Sequence, residues 1–131
     1  SSLAKVASGG SRASREMREL EEARRALDEE ADDVSDALRL RKLAAAGADA
    51  LGARRYADAA AAVRDYREVR PSERAVEMAG RHTVTGYERT RDVLQRTVLE
   101  RYEEAVSRGD VAGLSELTPL LGMLELADRG M

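Results

Sequence analysis

The chain has 131 residues, of which 43% are hydrophobic and 36% charged; its formal net charge is −3 and it contains no cysteine. The small negative charge argues against nucleic acid or an anionic membrane as a partner of the chain as a whole, and the lack of cysteine excludes disulfides and thiol catalysis. No apolar run reaches transmembrane length. The chain begins without methionine and ends without a closing element, so we expect it to be a fragment of a longer protein.

The first element predicted is one long helix. Residues 1–10 are small and polar and are expected to form a flexible leader, and the helix follows over Ser11–Leu51, where alanine, leucine, arginine and glutamate predominate and no proline occurs. At 1.5 Å per residue such a helix would be about 60 Å long, whereas a compact domain of this size has a radius of gyration of roughly 14 Å. We therefore expect the helix to project from the rest of the chain.

A narrow stripe, apolar except for Arg24, runs along this helix at alternating steps of three and four residues. We call its seven members the seam: Met17, Leu20, Arg24, Leu27, Ala31, Val34 and Leu38. This spacing is that of the a and d positions of a coiled coil, so the seam is predicted to be an interface with a partner helix. Beyond Leu38 the stripe widens over Leu40, Leu43 and Leu51, which predicts burial against helices of the same chain.

The residues that flank the seam are acidic and argue against pairing of two identical chains. With Met17 at position a, the e and g positions hold Glu16, Glu21, Asp28 and Glu30. In a parallel or an antiparallel homodimer these carboxylates would face one another and repel. The sequence therefore favours a different chain with basic flanks. The alternative is an intramolecular contact with the predicted helix 87–107, which is about half as long and would cover only part of the seam.

The rest of the chain, residues 52–131, is predicted to form the start of a helical bundle. Its elements are a turn at 52–55, helices at 56–69, 72–78, 87–107 and 111–118, and a further helix beginning after Pro119. The stretch Gly80–Gly86 is expected to be a loop or a broken helical join. Gly109 and Asp110 are predicted as the end of one helix and the N-cap of the next. The predicted fold class is all-α: a long coiled-coil-like N-terminal helix followed by the start of an antiparallel helical bundle.

No catalytic, metal or cofactor site is predicted. The single histidine, His82, has no acid–serine pattern beside it, and the acidic run 28–33 lies on a helix, where carboxylates point around the axis instead of converging on an ion. No glycine-rich phosphate motif occurs. Candidates for contact with phospholipid headgroups or an acidic partner are the basic residues Arg39, Arg41, Lys42, Arg54 and Arg55.

Several short motifs, taken in order, resemble those of a known family. They are Asp32-Asp33-Val34, Leu40 and Leu43, Ala50-Leu51, Tyr56-Ala57-Asp58-Ala59-Ala60 and Tyr66, then Leu99-Glu100-Arg101-Tyr102, Ala105, Gly109-Asp110 and Pro119-Leu120-Leu121-Gly122. In this order and spacing they resemble the N-terminal region of the fourth subunit of the conserved oligomeric Golgi complex. The resemblance covers about Asp32 to Gly122, most of the chain.

The resemblance implies a non-catalytic scaffold subunit of a vesicle-tethering complex, peripheral to the cytosolic face of the Golgi and active in retrograde intra-Golgi transport. It implies three kinds of partner: sister subunits joined through coiled coils, a Golgi syntaxin-type SNARE and an SM-family protein. From the residues themselves we expect no nucleic acid partner and no cofactor, and at most peripheral membrane contact. Two alternatives stay open, an unrelated helical coiled-coil adaptor and a helical module with weak lipid contact.

Overall fold

The computed structural model describes the backbone of residues 2–125 and the side chains of residues 11–125. Within them it consists of five helices and no strand: α1 (Ser2–Gly52), α2 (Tyr56–Glu68), α3 (Glu73–Ala79), α4 (Arg81–Arg108) and α5 (Val111–Met123). The predicted all-α fold with a long first helix is confirmed. The predicted leader lies outside the residues whose side chains are described, so its flexibility stays a prediction, and residues 126–131 lie outside the described residues altogether.

The main core is formed by the second half of α1 together with α2, α4 and α5, and α5 joins it by packing on α2 and α4. Its buried members are Ala50, Ala59, Ala60, Val63, Tyr87, Leu94, Val98, Leu120, Leu121 and Leu124. Small residues let the helices approach closely: a Cβ placed on Gly47 of α1 would lie 3.5 Å from Ala62 Cβ of α2 and 3.6 Å from Thr90 Cγ2 of α4. A second, smaller cluster of Ala37, Leu40 and Ala79 joins α1 to α3.

Two helix junctions form as the sequence predicts. The Ser72 hydroxyl accepts a hydrogen bond from the Ala75 N–H at 3.1 Å and caps α3. Gly109 ends α4 with a left-handed φ of 65°, a conformation that glycine adopts without steric cost. Asp110 then caps α5 by accepting from the Gly113 N–H at 3.0 Å.

Two predicted boundaries were wrong, one for a local reason and one because of packing in the core. Gly80 alone leaves the helical conformation, with φ 94°, and α4 begins at Arg81 instead of Tyr87. Two hydrogen bonds from Thr83 close the junction: its N–H donates to the Gly80 carbonyl at 3.1 Å, and its hydroxyl donates to the Ala79 carbonyl at 2.9 Å. Pro119 lies inside α5 and does not end it. Proline removes one helical hydrogen bond, but the next two residues are buried in the core and keep the chain helical.

Candidate partner-helix surface

The first half of α1 extends beyond the bundle. Every side chain from Ser11 to Asp32 is exposed, and these residues extend roughly 33 Å along the helix axis. From Asp33 onward the same helix carries half-buried and buried residues against its own chain. α1 is therefore both the central element of the bundle and a projecting rod.

The seam lies uncovered on this rod. Leu20 is 70% exposed, Leu27 67% and Met17 63%, while at the bundle end Leu38 and Val34 are 59% and 42% exposed. Arg24 and Ala31 are exposed as well. The seam thus holds five of the eight large hydrophobic residues that are exposed in the described part of the chain. This concentration on one stripe distinguishes the seam from the scattered apolar exposure of ordinary surfaces.

No helix of the described bundle covers the seam, so the intramolecular alternative was wrong for these residues. α4 meets α1 beyond the seam, where Thr90 lies beside Gly47. The residues of α1 that face the bundle, such as Ala37 and Leu40, are buried, whereas Leu38 between them is exposed. Successive residues of a helix are rotated by about 100°. The two stripes therefore occupy different faces, and α1 can hold the bundle and a partner at the same time.

The charge beside the seam changes sign along the helix. The flanking carboxylates of Glu16, Glu21, Asp28 and Glu30 are all exposed. Of these four carboxylates, only that of Glu30 has an ion-pair partner within the described residues, Arg74 of α3 at 3.9 Å. Both side chains are more than half exposed, so the contact adds little stability. At the bundle end the charge turns basic, because Arg41 falls at a d position and Lys42 at an e position, whereas Arg39 falls at b, outside the flanks.

The basic residues predicted from the sequence as contacts for lipid or an acidic partner do not form one patch. Arg39, Arg41 and Lys42 lie in the middle of α1, whereas Arg54 and Arg55 follow its end, about 20 Å further along the axis. Arg41 is engaged within the fold, because its Nε donates to the Ala79 carbonyl at 3.0 Å. Arg55 lies 3.9 Å from Asp58.

One residue at the seam was missed by sequence reasoning. Met78 of α3 closes a notch at the bundle end of the seam, with a volume of about 120 Å³; the notch is lined by Val34, Ala37, Leu38, Arg41 and Met78. Val34 and Leu38 belong both to the seam and to the notch. The short helix α3 has no periodic pattern long enough to show which of its residues would meet α1, so Met78 carried no signal in the sequence.

A larger cleft of about 500 Å³ lies on the α4 side of the bundle, near the end of α5. Its charged side chains are occupied by contacts inside the fold. Arg67 Nη2 donates to the Met123 carbonyl at 3.0 Å, and Arg91 lies 3.1 Å from Asp92 and over the ring of Tyr87. The Tyr87 ring stacks on Tyr66, with centroids 3.7 Å apart. These contacts give the charged side chains of the cleft a structural role within the fold.

Further observations bear on the nature of the site. Among residues 11–125 no three or more histidine and carboxylate side chains gather as a metal site would require. Within the helices that the structure describes, no segment combines the length and apolarity needed to cross a membrane. Comparison with protein families, curated proteins and solved structures finds no match to this chain.

Proposed function

We propose that this chain is a non-catalytic helical scaffold that binds a helix of another protein through the seam. The observation that carries the proposal is the row of exposed apolar side chains at heptad spacing on a projecting helix. Fully burying a leucine or methionine contributes about 1.5–3 kcal/mol. Because Met17, Leu20, Leu27 and Leu38 are already covered over about a third of their surface, burial of the rest offers about 4–8 kcal/mol in total. Association costs about 4–15 kcal/mol. A stable contact therefore needs the matching apolar side chains of a partner as well.

The partner is a different chain. Two copies of α1 would bring the acidic flanks together and place Arg24 against its equivalent, with no basic flank nearer than Lys42 to compensate. A helix with basic flanks and an acidic residue opposite Arg24 would satisfy every one of these charges. Charge thus selects against self-association, and apolar burial drives the heterotypic pairing.

The motif resemblance supports a narrower form of the proposal, in which the chain is the N-terminal part of the fourth subunit of the conserved oligomeric Golgi complex. The partners are then sister subunits, a Golgi syntaxin-type SNARE and an SM-family protein, brought together on the cytosolic face of the Golgi for retrograde transport. The motif positions are consistent with this form: Gly109-Asp110 forms the α4–α5 junction, and Leu120 and Leu121 of the Pro-Leu-Leu-Gly segment are core residues.

The test is co-purification of the sister subunits with a seam variant. Leu20→Asp combined with Leu27→Asp puts two charges into the seam and is expected to abolish co-purification. The matched control is Arg18→Ser combined with Arg25→Ser, which has the same seven-residue spacing, lies on exposed positions outside the seam and changes the net charge equally, from −3 to −5. Unchanged recovery of the subunits with the leucine variant, or equal loss with both variants, would contradict the proposal.

The same preparation separates the two alternatives from the Golgi assignment. An unrelated helical adaptor would lose its partner on seam substitution without any Golgi subunit among the recovered proteins. A lipid-contacting module would float with liposomes that contain anionic lipid and would stay unbound with neutral liposomes. The second alternative has the weaker support, because Arg41 donates to a backbone carbonyl and Arg55 lies near Asp58.

A further inference from the structure

The notch at the bundle end of the seam is part of the same apolar surface. Val34 and Leu38 each belong to the seam and also line the notch. A helix that lies along the seam would therefore meet Met78 of α3 as it reaches the bundle. The notch is open to solvent and has a volume of about 120 Å³. This is room for one aliphatic side chain.

The notch is formed before any partner arrives, because several contacts hold α3 against α1. The Ser72 hydroxyl donates to Asp33 Oδ1 at 2.6 Å at the start of α3, and Arg41 Nε donates to the Ala79 carbonyl at 3.0 Å at its end. Between them Ala79 packs with Ala37 and Leu40 in the second cluster. The side chain of Met78 is thereby kept at the edge of the seam, where it is half-buried and lines the notch together with Leu38.

The charges along α1 indicate which end of a partner helix reaches the notch. The seam is flanked by carboxylates from Glu16 to Glu30 and, at the notch, by the cations Arg41 and Lys42. A helix carries partial positive charge at its N-terminus and partial negative charge at its C-terminus. A parallel partner would place its N-terminus among the carboxylates and its C-terminus beside the cations. An antiparallel partner would meet like charge at both ends.

We propose that the seam and the notch form one composite groove, which is occupied by a parallel helix of another chain with basic flanks, whose last apolar side chain enters the notch beside Met78. This proposal rests on the proposed function and adds to it the orientation of the partner, its charge pattern and the contribution of α3. Arg24 then faces position a of the partner, where an acidic side chain would pair with it.

Synthetic helices serve as probes. The long probe has leucine at a and d, lysine at the flanks that face Glu16–Glu30, glutamate opposite Arg24 and a final leucine opposite the notch. The short probe ends one heptad earlier, and the acidic probe carries glutamate at the flanks. We expect the long probe to bind more tightly than the short one at low salt, the acidic probe not to bind, and salt to weaken binding. Equal affinity of basic and acidic probes, or no binding of the long probe, would overturn the proposal.

The contribution of α3 is measured with substitutions at Met78. Met78→Ala is expected to weaken the long probe about tenfold, or about 1.4 kcal/mol, and to leave the short probe unchanged. Met78→Leu, which conserves volume, and Glu77→Ala, on an exposed neighbour, should bind both probes like the wild type, and circular dichroism of each variant checks that it is folded. If Met78→Ala binds the long probe normally, the composite groove is wrong, while the co-purification test of the seam is unaffected.

The orientation is read by quenching. Because the chain has no cysteine, Ser11→Cys gives a single labelling site near the far end of the rod. A quencher there should suppress a fluorophore on the N-terminus of the long probe and leave one on its C-terminus bright. The opposite result would establish an antiparallel partner and overturn the inferred orientation.

Discussion

Charging the seam should leave the fold of the bundle intact, and this can be worked out from the exposure of two leucines. Leu20 is 70% and Leu27 67% exposed, so only about a third of each side chain is covered. Full burial is worth about 1.5–3 kcal/mol per side chain, and the covered third is therefore worth about 0.5–1 kcal/mol. That cover comes from neighbouring turns of α1, since all residues from Ser11 to Asp32 are exposed. The covered parts of both leucines together are worth about 1–2 kcal/mol and lie within the rod, so replacing both with aspartate should lower the free energy of unfolding of the bundle by less than about 2 kcal/mol.

The assay can report the bundle alone. The four tyrosines of the chain, Tyr56, Tyr66, Tyr87 and Tyr102, all lie in α2 and α4, so tyrosine fluorescence in urea follows the bundle and not the rod. Leu94→Ala is the positive control: Leu94 is fully buried, and its truncation should cost about 2–5 kcal/mol. If the leucine variant loses about 2 kcal/mol or more of unfolding free energy, as a core truncation does, the seam is packed within the chain and is not an uncovered surface.

Three further predictions concern the bundle, each measured by urea unfolding. Arg54 and Gly109 both end a helix in the left-handed conformation, with φ 60° and 65°, so Arg54→Gly should stabilise by up to about 1 kcal/mol and Gly109→Ala should destabilise by about 1 kcal/mol; equal effects of the same sign would contradict this. Gly47→Ala should stabilise by about 0.5–1 kcal/mol, because its Cβ would make only ordinary contacts; a destabilised variant would show that the α1–α2 contact is tighter. Burial raises the pKa of Tyr66 above its usual 10.0, with Tyr87 and Glu88 adding to the shift. The unfolded chain therefore loses this proton first, so stability is complete below pH 10 and falls as the pH rises through the folded pKa. Tyr66→Phe should reduce the fall, and an unchanged alkaline profile would argue against the shift.

Local sequence signals predicted much of this fold. The strong helix formers of α1, the N-caps Ser72 and Asp110 and the left-handed Gly109 each act through their own backbone neighbours, and all four features occur as expected. The two wrong boundaries have different causes: α4 begins early through local hydrogen bonds of Thr83, whereas at Pro119 tertiary packing overrides a local preference. Pro119 is tolerated inside α5 because the following leucines are buried.

The features that only the structure reveals are contacts between helices distant in sequence. Met78 meets the seam because α3 is anchored on α1, and Tyr66 packs against both core clusters. The seam could be predicted because its heptad spacing lies within one continuous stretch of sequence that forms a single helix. That it is uncovered could be established only once the other helices had been placed.

Carbodiimide crosslinking with mass spectrometry, on the proteins that co-purify with this chain, tests most directly whether a helix of another protein lies along the seam. Carbodiimide joins a carboxylate to a neighbouring lysine without a spacer, and the flanks of the seam present the carboxylates of Glu16, Glu21 and Asp28. We expect these three carboxylates to couple to lysines of one helix in a different protein, in ascending order along that helix. Crosslinks from these carboxylates only to lysines of this chain or of a second copy would contradict this expectation.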